Sequence, residues 1–226
     1  MEIKVMQTAA FKAAYEELVP QFERASGHHV TTLWTPSVEM MGKLKGGETV
    51  DVVIMSAAAI DELNKHGTLG ARVDLATCGI GVAVRAGAPK PDISSGDALK
   101  RAVLAAKSIV YSTGPSGIYL KDLFERWGIS DAIKSKVIIV KGEPAGAVAA
   151  RGEAEIAFQQ VCELLPVAGI DLVGPLSADI QKITTFSSAV HVNASQPAAA
   201  AELIRFLTAP AAAPVIRKAG MTPPGA

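Results

Sequence analysis

The chain has 226 residues, 49% of them hydrophobic, and its 22 basic side chains balance its 22 acidic ones. This length and composition suffice for one large or two small globular domains with a substantial core. The balanced charge, without a basic run, argues against nucleic acids and anionic membranes as partners, and no apolar stretch reaches the roughly 18 residues of a membrane-spanning helix.

The first part of the chain alternates apolar strand-like runs with helical patterns. Strands are predicted over 3–6, 30–34 and 50–55, and helices over 11–26, 38–45 and 58–65. A glycine follows each helix, at Gly27, Gly46 and Gly67, where its conformational freedom suits a helix end. This order predicts a βαβαβα unit with parallel strands covered by helices.

A second unit follows a long apolar segment at 76–85, which Gly79 and Gly81 interrupt. Its predicted elements are a helix at 96–106, a strand at 108–111, a helix at 119–127, a strand at 137–140, a helix at 145–151 and strands at 156–158 and 171–173. A long strand at 183–192 and an Ala-rich helix at 197–207 complete the chain. Because the two long strands bracket the second unit, we predict lobe I at 1–80 and 190–226 and lobe II at 81–189, joined by a two-strand hinge.

The amino terminus and the two cysteines bear on the compartment. The first six residues are strand-like and lack the apolar core and cleavage site of a secretory leader. Two interpretations stay open: a leader has been removed and the protein is periplasmic, or the protein is cytoplasmic. Cys78 and Cys162 each lie among apolar residues, which predicts two buried free thiols rather than a disulfide.

Two polar turns lead from a strand into a helix, at Thr35-Pro36-Ser37 and over 112–119, which reads STGPSGIY. At such a turn, free backbone N–H groups and the positive end of the helix dipole point at one spot, which suits an anion. The alternative is an ordinary connection in which Ser37 and Ser116 only cap their helices.

Three stretches resemble the molybdate-binding type of periplasmic solute-binding proteins. They are FERASGHHV at 22–30, Ser37 placed fourteen residues before DVVIMSA at 51–57, and the 112–119 turn followed by Leu123, Trp127 and Gly128. The resemblance covers essentially the whole chain. It implies an α/β fold of two Rossmann-like lobes with type II periplasmic binding protein architecture. It also implies that a small anion, an oxyanion or an organic carboxylate, binds in the cleft between the lobes.

The same resemblance implies a ligand set of hydroxyls and backbone N–H groups. Ser37 falls where the family places a ligand serine, and Gly117 lies where the second lobe offers N–H groups. The family's first-loop serine corresponds to Ala10 here, which leaves Thr8 as the nearest hydroxyl. The family's ligand tyrosine corresponds to the region of Gln160. An amide in place of that phenol favours an organic carboxylate as the ligand. With Ser56 added because it ends a buried strand, the predicted ligand-binding residues are Thr8, Ser37, Ser56, Ser116, Gly117, Tyr119, Gln159 and Gln160.

We therefore predict a monomeric solute-binding protein that serves the membrane component of an ABC transporter, with no cofactor, metal site or nucleic-acid partner. Two alternatives stay open. One is a cytosolic ligand sensor. The other is an isomerase of a small organic acid, because this fold group is also similar to an aconitate isomerase. That reaction needs a general base, for which Tyr119, Lys141 and Glu143 are candidates near predicted loop ends.

Overall fold

The computed structural model describes residues 1–225, which divide into two compact units. Unit 1 contains residues 1–78 and those from 184 onward, and unit 2 contains residues 79–183. The predicted return to the first unit, near residue 190, falls later than the observed one. The reason is that the last strand pairs within unit 1 along its whole length, beginning at Thr184.

Ten strands and ten α-helices form the two units. The strands are β1 Glu2–Gln7, β2 His29–Trp34, β3 Val52–Ser56, β4 Val73–Cys78, β5 Ile80–Arg85, β6 Ile109–Ser112, β7 Val137–Val140, β8 Ile156–Gln160, β9 Ile170–Pro175 and β10 Thr184–Val190. The helices are α1 Lys12–Ser26, α2 Ser37–Lys45, α3 Ala57–Asn64, α4 Gly96–Ala105, α5 Pro115–Arg126, α6 Ser130–Ile133, α7 Ala145–Ala150, α8 Val161–Leu164, α9 Pro197–Thr208 and α10 Ala213–Lys218. These counts refer to residues 1–225.

The sheet of unit 1 has the order β2-β1-β3-β10-β4. Strands β1, β2 and β3 are parallel, whereas β10 is antiparallel to both of its neighbours. Helices α2 and α3 cover one face, where Met40 and Ile60 pack against Met6 and Met55. Parallel neighbours end at the same edge of a sheet, so the turns after β1, β2 and β3 lie along one edge.

The sheet of unit 2 has the order β7-β6-β8-β5-β9. Strand β6 is parallel to β7 and β8, and β5 is antiparallel to β8 and β9. Helix α5 packs on one face through Leu120 and Phe124, and α7 packs on the other through Val148. The carboxyl ends of β6, β7 and β8 therefore share one edge, and both units are α/β as predicted.

The single long strand predicted over 76–85 is wrong. The segment forms two strands that belong to different sheets, with β4 ending at Cys78 and β5 beginning at Ile80. The segment is largely apolar because β5 and the end of β4 are mostly buried, and buried strands carry apolar residues on both faces. Gly79 marks the change of sheet, and a β-carbon there would approach the Gln181 amide at 3.1 Å.

Helix α5 begins at Pro115, four residues before the predicted start at residue 119. Proline suits the first helical position, because its φ is already helical and its missing N–H is not needed there. This shift places Ser116 and Gly117 inside the first turn of the helix. Cys78 and Cys162 are both buried and are not joined in a disulfide, as predicted.

Within residues 1–225, no single helix is long and apolar enough to span a membrane. The pair Pro197–Thr208 and Pro210–Lys218 meets these criteria together by length and composition, with a bend of 54° between its helices.

Candidate functional site

Unit 1 brings three of the predicted residues to one edge of its sheet. Thr8 follows β1, Ser37 opens α2 directly after β2, and Ser56 ends β3. Thr8 is tied into this edge because its backbone N–H donates to the Ile54 carbonyl at 3.1 Å. The edge of unit 1 is thus lined by hydroxyl side chains from three consecutive strand-to-helix turns.

Ser37 does not cap its helix. The N-cap position of α2 is occupied by Pro36, which has no side-chain hydrogen-bonding group, and Ser37 is the first helical residue. The interpretation of Ser37 as an N-cap is therefore wrong. Ser56 does stand at the N-cap of α3, yet its hydroxyl makes no capping hydrogen bond. Both serines are partly exposed, so their hydroxyls can reach a ligand.

The first turn of α2 offers backbone donors as well. Its first helical hydrogen bond runs from the Met40 N–H to the Pro36 carbonyl at 2.9 Å. The N–H groups of the three residues before Met40 therefore lie outside the helical ladder, as at every uncapped helix start. Together with the helix dipole, these donors favour a negatively charged group beside Ser37.

Gln7 is a polar residue of this edge that the sequence analysis missed. Its side chain is fully buried, and neither amide atom has a hydrogen-bond partner in the protein. Its backbone carbonyl accepts the Thr35 N–H at 2.9 Å, which ties the ends of β1 and β2 together. The available signal was a glutamine directly after the predicted strand 3–6 and directly before Thr8.

Unit 2 presents a similar turn between β6 and α5. The Ser112 hydroxyl accepts the Gly114 N–H at 3.3 Å, and Gly114 stands at the N-cap of α5. Ser116 is the second helical residue and only 1% exposed, so its interpretation as an N-cap is also wrong. The first helical hydrogen bond runs from the Ile118 N–H to the Gly114 carbonyl, which leaves the N–H of Gly117 outside the ladder.

The phenol of Tyr119 is engaged within unit 2. Its hydroxyl donates to the Ile180 carbonyl at 2.7 Å, and the Arg126 guanidinium lies 5.7 Å from the centre of its ring. This hydrogen bond links α5 to the segment that follows β9. A role of Tyr119 in ligand binding stays a prediction.

Gln159 and Gln160 end β8 and are both buried. Successive strand residues point to opposite faces, so they do not share an environment. The Gln159 amide is fixed at both ends: its oxygen accepts the Ala145 N–H at 2.8 Å, and its nitrogen donates to the Glu163 carboxylate at 2.9 Å. Gln160 lies on the face of Phe158 and pairs with Ile80 of β5.

Glu163 is the second residue that the sequence analysis missed. It lies in the short helix α8, directly after β8, and is partly exposed. Burial raises the pKa of its carboxyl to about 7, against the lowering effect of hydrogen bonds from Gln159 and the Gln160 backbone. The only signal in the sequence was a single carboxylate in an apolar stretch after a strand. Isolated carboxylates are also common on solvated surfaces.

The general-base candidates differ from Glu163 in their surroundings. Glu143 is exposed and forms an ion pair with Arg151 at 3.1 Å, and Lys141 is exposed on the loop after β7.

A separate open pocket of about 470 Å³ lies within unit 1 and contains none of the predicted ligand residues. Its lining includes Lys45, His66 and His191. His191 follows the end of β10, which is antiparallel to β3, so this pocket lies at the edge opposite Ser56. No group of three His, Cys, Asp or Glu side chains suited to a metal ion occurs within residues 1–225.

Comparisons with known proteins match the whole length of the chain. The family model described as bacterial extracellular solute-binding protein matches residues 3–222. An aconitate isomerase from a Pseudomonas species is 37% identical over 229 aligned residues, which span 98% of this chain and 87% of that protein. A molybdate-binding protein of Mycobacterium tuberculosis is 25% identical over 98% of this chain and 85% of its own length.

The fold has solved counterparts. The structure of the Azotobacter vinelandii periplasmic molybdate-binding protein matches with a TM-score of 0.80 and 20% identity, over 98% of this chain and 99% of that one. At this identity the likeness establishes the shared fold alone. The predicted α/β architecture is confirmed by it.

Proposed function

Because the chain belongs to the bacterial extracellular solute-binding protein family, as its sequence motifs predicted, we propose that it binds a small anion at the strand-to-helix turns described above. The donors of unit 1 are the hydroxyls of Thr8, Ser37 and Ser56 with the first turn of α2. Those of unit 2 are the first turn of α5, including the Gly117 N–H, and the end of β8. The anion is an oxyanion or an organic carboxylate.

One observation carries this proposal: α2 and α5 both begin directly after a parallel strand, and neither has a side chain capping its first turn. Helix starts normally attract a capping side chain, because four N–H groups lack partners there. An anion supplies the missing acceptor. The names of the molybdate-binding relatives support the same ligand class.

The energies of such contacts are sufficient for useful affinity. A hydrogen bond to a charged group contributes about 1.5 to 3 kcal/mol net, and a helix amino terminus adds roughly 0.3 to 1 kcal/mol. Four or five contacts, less the cost of association, leave about −8 kcal/mol, which corresponds to micromolar affinity. In the periplasm, a monomeric protein that binds its anion with this affinity would deliver the anion to the membrane component of an ABC transporter.

A thermal-shift screen tests the proposal. The panel contains molybdate, tungstate, sulfate, phosphate and a series of di- and tricarboxylates, because these cover both anion classes. We expect one class to raise the midpoint of unfolding in a concentration-dependent manner, as binding to the folded state requires. A panel in which no anion stabilises the protein would contradict the proposal.

Catalysis is the second candidate function, and the 37% identity to an aconitate isomerase favours it. This identity is higher than that to the molybdate-binding relative and extends over the same share of the chain. An isomerase of a small organic acid would bind its anion with the same donors and then move a proton. Long incubation with the stabilising anion separates the two functions, since a passive binder returns its ligand unchanged.

A further inference from the structure

The position of Glu163 relates it to the anion-binding edge of unit 2. Strands β6 and β8 are parallel neighbours, with Tyr111 opposite Phe158. Their carboxyl ends therefore reach the same edge, where β6 leads into the first turn of α5 and β8 leads into α8. Glu163 is the third residue of α8, three residues after Gln160 ends β8.

The carboxyl of Glu163 is held in a fixed orientation. The Gln159 amide oxygen is occupied by the Ala145 N–H, so its NH₂ group is turned toward Glu163 and donates at 2.9 Å. A second donor is the backbone of Gln160. Such preorganisation is what a proton-transferring group requires, because the group must meet its substrate atom without a search over rotamers.

The elements that pack against Glu163 carry few charged side chains. Its proton affinity is raised by burial, and no charged side chain contributes to the shift. Helix α7 and strand β8, which pack against α8, contain no titratable side chain, and β5 contains only Arg85 at the end far from Gln160. The remaining titratable group of α8 is the buried Cys162 thiol. A carboxyl with a pKa of about 7 both accepts and returns a proton readily at neutral pH.

We propose that Glu163 is the general acid–base of a 1,3-proton shift, through which the protein isomerises an unsaturated tri- or dicarboxylate. This inference rests on the proposed anion site and adds a reaction to it. The carboxylate of Glu163 removes a proton from the carbon next to the C=C bond: the C–H bond breaks and a Glu163 O–H bond forms. The electron pair delocalises over the allylic system. The proton then returns to the other end of that system, the O–H bond breaks, and the double bond has moved without any oxidant or reductant.

The donors that bind the substrate carboxylates also stabilise the charge that develops during the reaction. A carbanion next to a carboxylate is stabilised when hydrogen-bond donors hold the charge that develops on that group. The hydroxyls and N–H groups of the proposed site are such donors. The Pseudomonas relative, named as an aconitate isomerase, indicates that this fold can carry the chemistry.

The test uses the whole protein with cis-aconitate and trans-aconitate in D₂O, followed by proton NMR. We expect the wild type to form the other isomer with deuterium in the product, and Glu163→Gln to lose at least about 100-fold in rate while it still binds the substrate. The matched control is Glu125→Gln, which removes a surface carboxylate of α5 paired with Lys121 and should leave the rate unchanged. The wild-type kcat/KM should rise with pH to a plateau above about 7.

Each negative result bears differently on the role of Glu163 and on the anion-binding function. Aconitate that binds the wild type without isomerisation or deuterium uptake overturns the inference, as does a Glu163→Gln variant with the wild-type rate. Binding of another anion but not of aconitate also overturns it and leaves the anion-binding function intact. If no anion binds, both proposals fail. Should Glu163→Gln not fold, a wild-type rate that is independent of pH around neutrality overturns the role of Glu163.

Discussion

Gly117 lies against the carbonyl of Ser112 so closely that a β-carbon at residue 117 would overlap that oxygen and lie 2.7 Å from the carbonyl carbon. The contact joins the first turn of α5 to the last residue of β6. Both atoms of Ser112 belong to the backbone, so the contact cannot be relieved by rotating a side chain. The absence of a side chain at residue 117 is thus what allows the helix to begin directly at the strand end.

Substitution of Gly117 should therefore disrupt unit 2. We expect Gly117→Ala to lower the free energy of unfolding by about 3 kcal/mol, since overpacking a site that cannot relax costs 1–3 kcal/mol and sometimes more. Urea denaturation measures this change. The control is Gly114→Ala in the same turn, where the nearest atom to a β-carbon is the Ser112 hydroxyl oxygen at 3.4 Å. Equal effects of the two substitutions would contradict the packing argument.

Substitutions of Ser37 and Ser95 distinguish a serine that binds ligand from a serine that caps a helix. Ser37→Ala should weaken binding of the stabilising anion by about 1 to 3 kcal/mol, with little change in the stability of the free protein, because this serine caps nothing. Ser95 is a true cap: its hydroxyl accepts the Ala98 N–H at 3.2 Å. Ser95→Ala should cost about 1 kcal/mol of stability and leave affinity unchanged. Calorimetric titration and urea denaturation measure both quantities, and unchanged affinity in Ser37→Ala would remove that serine from the site.

Glu163 should make stability depend on pH near neutrality. The pKa of its carboxyl is about 7 in the folded protein and 4.5 for an unperturbed glutamate, so the folded state binds the proton more tightly. The stabilisation is complete below about pH 4.5 and is lost as the pH rises to about 7, in total about 3 kcal/mol. Urea denaturation of the wild type at about pH 5 and about pH 8 measures it.

Glu163→Gln provides the reference for that experiment, because its amide stays neutral at every pH. The variant should lack this component of the pH dependence and be more stable than the wild type above neutral pH. A wild type and variant with parallel stability profiles would show that the carboxyl does not titrate in this range.

Asp51 anchors the returning end of the chain to unit 1. Its carboxylate accepts the backbone N–H of Lys4 and of Gln196, each at 2.8 Å, and the Ser195 hydroxyl at 3.0 Å. We expect Asp51→Ala to lower the free energy of unfolding by about 3 kcal/mol, because three donors in part-buried hydrogen bonds lose a charged acceptor. Asp122→Ala is the control, since Asp122 forms an exposed helical pair with Arg126 and should contribute about 0.5 kcal/mol or less.

The same carboxylate should contribute to acid sensitivity. Burial raises the pKa of Asp51, but the hydrogen bonds from Lys4, Gln196 and Ser195 outweigh it and hold the pKa below its usual value of 3.8. The stabilisation is therefore present above pH 3.8 and is lost as the pH falls through the folded-state pKa. Acid titration followed by circular dichroism should show the wild type losing more stability below pH 3.8 than Asp51→Asn does. Equal losses would contradict this role.

The site was only partly visible in the sequence. Hydroxyls and glycines at strand-to-helix turns are local signals, and they led to Ser37, Ser116 and Gly117. The tight contact of Gly117 with Ser112 was not a local signal, because it depends on how α5 meets β6 in space. Gln7 and Glu163 were missed for a related reason: their unusual properties come from burial, and neither belongs to a recognisable motif.

The sequence by itself determined the two α/β units and the family, because hydrophobic periodicity and glycine or proline punctuation act over a few residues. The tertiary structure decided where the apolar segment 76–85 divides between two sheets, since two mostly buried strands follow each other there with a single residue between them. It also decided the protonation of Glu163. The pKa of a carboxyl depends on the atoms that surround it in space, and those of Glu163 come from β8 and α8 and from the way α7 fixes Gln159.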